Sequence, residues 1–172
     1  MYRIFNVLIE SNIPLPELPE IQAGTPSFFF VLQAPSSEAG LQPQWIHHWR
    51  DHDDQITISC GRIGDADLLR FPDLADFYIA RQGTAIECYP AAGTSGESIR
   101  HLLLDQVMPR SIAQQGAIVL HASVVLIGGK AVAFLGDSGW GKSTLATSLH
   151  EKGYPLLTDD CVSITQSSVN KG

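Results

Sequence analysis

Gly136-Asp137-Ser138-Gly139-Trp140-Gly141-Lys142-Ser143 is the stretch on which the reading of this chain turns. It fits the spacing G-x-x-x-x-G-K-[ST], a loop whose glycines let backbone N–H groups turn inward around an anion. In that pattern the lysine reaches the β- and γ-phosphates of a nucleotide, and the hydroxyl of Ser143 helps to hold Mg²⁺. The neighbouring sequence agrees. The apolar run Ala131-Val-Ala-Phe-Leu135 reads as a buried strand, and Lys142 to Lys152 reads as a helix. Strand, glycine-rich loop and helix start come in the order an anion site needs, because a helix N-terminus adds free N–H groups and a positive dipole end. Gly136, Asp137, Ser138, Gly139, Trp140, Gly141, Lys142, Ser143 and Thr144 are the candidate nucleotide-binding residues.

Toward the N-terminus, Ile118 to Leu135 reads as one long hairpin turning at Gly128-Gly129, a two-residue turn that tolerates positive φ. A two-residue loop puts Ile127 opposite Lys130, and the same register carried on puts His121 opposite Gly136. His121 is then either a residue at the mouth of the site or a strand histidine with a structural task. Toward the C-terminus, Gly153 suits the end of the helix and Pro155 prevents its continuation. Ten helical steps carry the chain about 15 Å away from the phosphates. Pro155 to Asp159, extended, brings it back by about 13 Å. A parallel strand beside the loop's own strand would deliver Asp159 and Asp160 to the phosphate end. Carboxylates there can orient Mg²⁺ or accept a proton from an attacking hydroxyl.

Upstream of the hairpin, Thr94-x-x-Glu97 has the form of a capping box, and Ile99, Leu102, Leu103 and Val107 follow at helical spacing. Pro109 should break that helix or start a second one, which Gly116 would end. Residues 1–90 read as short strands separated by Gly, Pro, Ser and Asp: 2–10, 27–33, 44–50, 55–60, 67–71, 76–81 and 84–89, with a hairpin turn at Arg81-Gln-Gly83-Thr. Ile13-Pro-Leu-Pro-Glu-Leu-Pro19 is an extended arm, since three prolines in seven positions exclude helix. The expected organisation is a β-rich region over 1–92 and a nucleotide-binding region over 93–172. Within the latter, 94–116 is a helical lead-in, 118–135 the hairpin and 136–143 the phosphate loop.

The composition excludes several classes. A net charge of −7 argues against a nucleic-acid partner or an anionic membrane surface. No apolar run reaches the ~18 residues of a membrane span, and Glu10 comes too early for a signal peptide. Three cysteines, widely spaced and outside any CxxC pair, fit a reducing cytoplasm better than a disulfide framework or a zinc site. Trp45-Ile-His-His-Trp-Arg-Asp-His-Asp-Asp54 would place His48 and His52 on one face if helical, but the β-rich setting reads it as a solvated strand and loop. Only 29 residues follow Ser143, and 166–172 has no apolar face. A nucleotide-binding α/β domain usually continues further, so the chain reads as cut short at its C-terminus.

Leu120-His-Ala-Ser123, the phosphate loop with Thr144-Leu-Ala146, and Gly153-Tyr-Pro-Leu-Leu-Thr-Asp-Asp160 together resemble the nucleotide-binding domain of HPr kinase/phosphorylase. The resemblance is closer to the HPr-kinase-like proteins found beside peptide-tailoring enzymes, including lasso-peptide kinases, whose N-terminal region Tyr2-Arg and Ile13-Pro-Leu-Pro-Glu-Leu18 is also similar. It is dense over 118–164 and thin between 20 and 95. It implies an α+β or α/β protein in which the β-rich region precedes a P-loop domain of the HPr kinase and phosphoenolpyruvate carboxykinase type. It implies ATP and Mg²⁺, transfer of a phosphoryl group to a serine of a protein or peptide, and assembly into homo-oligomers. In that scheme Lys142 and Ser143 contact phosphate and metal, and Asp159 is the general base. Asp160 assists with metal or substrate, and His121 positions the aspartate. The later signature segment of the family has no counterpart here. The alternatives are a nucleotide-binding regulatory module without kinase chemistry, and an inactive fragment.

Overall fold

The structure is a computed structural model and describes residues 1–35, 42–80, 82–137 and 139–164. The expected turn residue Arg81, the loop residue Ser138 and the segment 166–172 lie outside the described residues. The protein is a mixed α+β chain rich in strand. It divides into two compact units, Met1–Gln115 and Gly116–Gly172.

The first unit is built on an eight-stranded sheet in the order β1-β2-β3-β8-β7-β6-β5-β4. Its strands are β1 (Tyr2–Ile4), β2 (Val7–Ser11), β3 (Phe28–Leu32), β4 (Gln44–Arg50), β5 (Ile56–Ile63), β6 (Ala66–Phe71), β7 (Ala75–Ala80) and β8 (Ala85–Pro90). From β4 to β8 every pair is antiparallel, whereas β3 runs parallel to both β2 and β8. The first expected strand, 2–10, is instead a hairpin. Phe5 takes φ 50 and turns the chain between β1 and β2 without a glycine to announce it. The proline-rich arm then lies along the edge of β1. The Arg3 N–H donates to the Pro19 carbonyl at 3.0 Å, and the Ile21 N–H to Met1 at 3.0 Å.

Strand period two sorts the sheet into faces. Leu69, Phe77 and Cys88 fall in one row, and Phe71, Ala75, Ile79, Ile86, Phe30 and Phe28 lie on the same face, all buried. Phe71 and Phe77 meet edge to face at 5.7 Å. The helical segment runs along this face, since Asp67, in the row of Ile79, accepts a hydrogen bond from Gln114 at 2.9 Å. It supplies buried Ile99, Leu102, Leu103, Val107, Met108 and Ile112. On the opposite face Gly61 lets the Trp45 ring lie flat across the sheet. A β-carbon there would sit 2.8 Å from the ring.

The helical segment comprises α1 (Gly96–Leu102), a π-helical turn over Leu103–Val107, and α2 (Met108–Gln114). The N-cap is Ser95, which accepts from the Ser98 N–H at 3.0 Å. Thr94, expected in that role, donates its hydroxyl to the Leu74 carbonyl instead. Pro109 breaks nothing: it stands in the first turn of α2, directly after the wider π turn, and the backbone stays helical through Val107 and Met108. Gly116, at φ 88, ends the helix as expected. The contacts of this segment place it in the first unit, so the division falls after Gln115 and not after 92.

The second unit holds β9 (Ile118–His121), β10 (Ser123–Ile127), β11 (Lys130–Phe134), α3 (Lys142–Glu151), β12 (Leu156–Thr158) and β13 (Cys161–Ile164). Gly128 and Gly129 turn the β10–β11 hairpin at φ 57 and 76, and Ile127 pairs with Lys130 as expected. The hairpin is shorter than expected because its first strand breaks at buried Ala122. Beyond that point β9 pairs with β13. Ala122, Ser123, Val124, Val125 and Ala146 are its buried residues among those described.

Two outcomes are expected for the first unit. Phe77→Ala should lower the free energy of unfolding by about 3–5 kcal/mol in chemical denaturation, since the ring is fully buried in the middle of the sheet. Burial, aided by the charge of Asp76, pushes the Cys88 thiol from the ordinary 9.0 up to about 12. A group whose folded value is raised contributes stability in full below its unfolded value and loses it as pH rises toward the folded one. Stability should therefore decline between pH 9 and about 12, and Cys88→Ala should flatten that decline.

Candidate functional site

The site is assembled on β10. Its two edges pair with β11 and β12, both antiparallel to it, so β11 and β12 run in the same direction. Ala133, Val124 and Thr158 form one row across the three strands. The glycine-rich loop leaves β11 just past that row, and Asp159 leaves β12 just past it. The two therefore emerge at the same end of the sheet, about 10 Å apart across two strand spacings. The return path of the chain is as expected from its length. The neighbour is not: β12 lies beside β10 and has the loop's own strand one place further away.

The loop itself carries three positive-φ glycines, Gly136 at 155, Gly139 at 83 and Gly141 at 83. Gly141 is the N-cap of α3 and offers no side-chain cap, so the first-turn N–H groups of the helix have no side-chain acceptor from it. No acidic residue stands in that first turn. Acids are the usual complement to the positive end of a helix, and here Lys142, Ser143 and Thr144 take their places. The Lys142 ammonium folds back on the loop and donates to the carbonyl oxygens of Gly136 at 2.8 Å and Asp137 at 3.0 Å. Trp140 is 75% exposed, yet its ring edge lies 3.3 Å from where a β-carbon of Gly136 would stand. The ring closes one side of the loop, and a β-carbon at 136 would press the exposed ring outward by a few tenths of an ångström. Ser138 is outside the described residues.

The two aspartates have different surroundings. Asp159 accepts a 2.6 Å hydrogen bond on Oδ1 from the hydroxyl of Ser123, a fully buried residue of β10. Asp160 is tied by its backbone: its carbonyl accepts from the Ala122 N–H at 3.0 Å. Asp160 thereby fills the gap between the β10–β12 and β9–β13 ladders. Thr158, Asp160 and Cys161 fall opposite Val124, Ala122 and His121 in one register across the break.

The pairing expected between His121 and Gly136 is absent from the ladder. Pairing of β10 with β11 stops at Ser123 and Phe134, two residues short of it. His121 is exposed, belongs to β9 and stands opposite Cys161. The strand breaks at Ala122 and the ladder to β11 ends before His121, so the pairing with Gly136 is not made. The residue that does touch the aspartate, Ser123, carries a weak sequence signal: a lone hydroxyl beginning the apolar run Val124-Val-Leu-Ile127. The histidine-rich segment is no helix either. His48 lies on β4, bonded to Ser59 through Nδ1 at 2.8 Å, and His52 lies in the following turn. Among the described residues no group of three or more His, Cys, Asp or Glu side chains is arranged to hold a metal ion. Among the described residues no helix is long and apolar enough to cross a membrane.

Comparison with known protein families, with curated proteins and with solved structures finds no match to this chain. The site therefore has to be read from its own geometry.

Gly141→Ala tests the loop backbone. A β-carbon at 141 meets nothing within 4 Å, so any cost comes from φ 83 alone, about 1–2 kcal/mol. The expected result is faster hydrogen exchange at the Leu145 amide, which bonds the Gly141 carbonyl at 2.9 Å.

Proposed function

We propose that the second unit binds ATP at Gly136–Ser143 and takes part in phosphoryl transfer to a serine hydroxyl of a protein or peptide, as a P-loop unit of the HPr kinase and phosphoenolpyruvate carboxykinase type. The observation that carries this reading is the common exit of the glycine-rich loop and of Asp159 at one end of the β11-β10-β12 sheet. The uncapped N-terminus of α3, free of acids, supports a phosphate there. Lys142, already turned toward the loop, is the cation that would exchange carbonyl oxygens for phosphate oxygens.

The donor set fits Mg²⁺-nucleotide. The Ser143 hydroxyl, on the first turn of α3, and Asp160 would hold the ion, which would draw off charge from the β- and γ-phosphates. Asp159 is the acceptor for the proton of the serine hydroxyl. Loose phosphoryl-transfer transition states ask little of a base early on, so the position of the carboxylate matters more than its basicity. The acidic chain, at −7, suits a partner other than nucleic acid.

Transfer of labelled γ-phosphate from ATP to a library of serine-centred peptides tests the reading. Lys142→Ala should lose at least a hundredfold in rate, because a charge-assisted contact to the transferring group cannot be replaced by water in the loop. Equal transfer by the variant and the parent would sink the assignment. ATP binding that raises the melting temperature without any transfer would leave a regulatory nucleotide-binding module.

A further inference from the structure

Three polar residues are buried among those described: Ser59, Ser111 and Ser123. Two of them have structural partners. Ser111 donates to the Val107 carbonyl one helical turn back at 3.0 Å, and Ser59 meets the ring of His48 at 2.8 Å. Ser123 differs, because its hydroxyl reaches across from β10 to a carboxylate at the loop end of the sheet. A buried position at the start of an apolar strand is better filled by valine, as at 124 and 125. A hydroxyl there is costly unless it is bonded.

We infer that Ser123 is a positioning residue for phosphoryl transfer, holding one oxygen of Asp159 so that the other is presented to the acceptor hydroxyl. The inference rests on the kinase reading above and assigns to Ser123 the task that the resemblance gives to His121. Three observations carry it. The bond is short, 2.6 Å, and its donor is fully buried while Asp159 stands at the exposed end of the sheet. Only Oδ1 is engaged, and no hydrogen bond is made to Oδ2 among the described residues. Ser123 also pairs with Phe134, the last residue of β11 before the loop leaves, so one residue is tied both to the loop's strand and to the aspartate.

In the reaction the acceptor oxygen bonds to the γ-phosphorus of ATP as the bond from that phosphorus to the bridging oxygen breaks. ADP departs with the bonding electrons, and the hydroxyl proton passes to Oδ2 of Asp159 and then to solvent. Ser123 touches none of these atoms. It restricts the rotation of a side chain that would otherwise sample several directions, which is how a positioned group lowers the barrier.

The experiment compares kcat and KM for ATP in the full chain and its Ser123→Ala, Ser123→Thr and Ser123→Cys variants, using labelled ATP and the serine-centred peptide library. Melting curves check folding. Ser123→Ala should lose about tenfold to a hundredfold in kcat with KM for ATP unchanged, the loss expected of one hydrogen bond to a charged group. Ser123→Thr keeps the donor and should restore most of the rate. If Ser123→Ala does not fold, Ser123→Cys, close in size and a weak donor, should fall well below Ser123→Thr. A folded Ser123→Ala or Ser123→Cys with the parent kcat overturns the inference and leaves the kinase reading standing. A parent chain that transfers no more phosphate than Lys142→Ala overturns both.

Discussion

The second unit depends on β10 being paired along both edges. A strand with one partner can slip, but Val124 is held between Ala133 and Thr158, so a shift on either side costs hydrogen bonds on the other. Because both neighbours run antiparallel to it, their C-terminal ends coincide. The loop that follows β11 and the aspartates that follow β12 must then open at one end of the sheet. Everything chemical in the unit follows from that arrangement.

The break at Ala122 is the second constraint. The strand continues past it in the same register with its β12–β13 partner but leaves the β11 edge. Val124 is the last residue paired on both sides, and Ser123 beyond it keeps only its β11 partner, Phe134. Ala122 is fully buried, so a larger side chain at this position meets packed neighbours.

The first unit is organised by different means. Its sheet is a meander from β4 to β8 with β3 inserted in parallel, and the apolar face of that sheet is matched by a helical segment that absorbs a proline through a π turn. The edge at β1 is covered by the proline-rich arm, whose missing N–H groups make it a poor template for further pairing. That explains why so proline-rich a stretch as 13–19 belongs to the unit and is no mere connection. Leu15, within it, is fully buried.

Local chemistry was legible from the residues alone. The glycines of 128–129, 136, 139 and 141 need positive φ, Gly116 and Gly153 end helices, and period-two patterns mark most of the strands of the sheet. These depend on forces acting over a few residues. The loop-to-aspartate path was legible too, since it is arithmetic on rise per residue. What the sequence left open was everything that depends on which strand lies next to which. β12 chose the free edge of β10 over that of β11, and Phe5-Asn6 turned the chain without a glycine. Ser95 displaced Thr94 as cap because the Thr94 hydroxyl found the Leu74 carbonyl. That Ser123 meets Asp159 depends on pairing with a segment about forty residues away. No pattern within a single strand encodes that choice, because it is made by the competition of long-range partners for the same backbone.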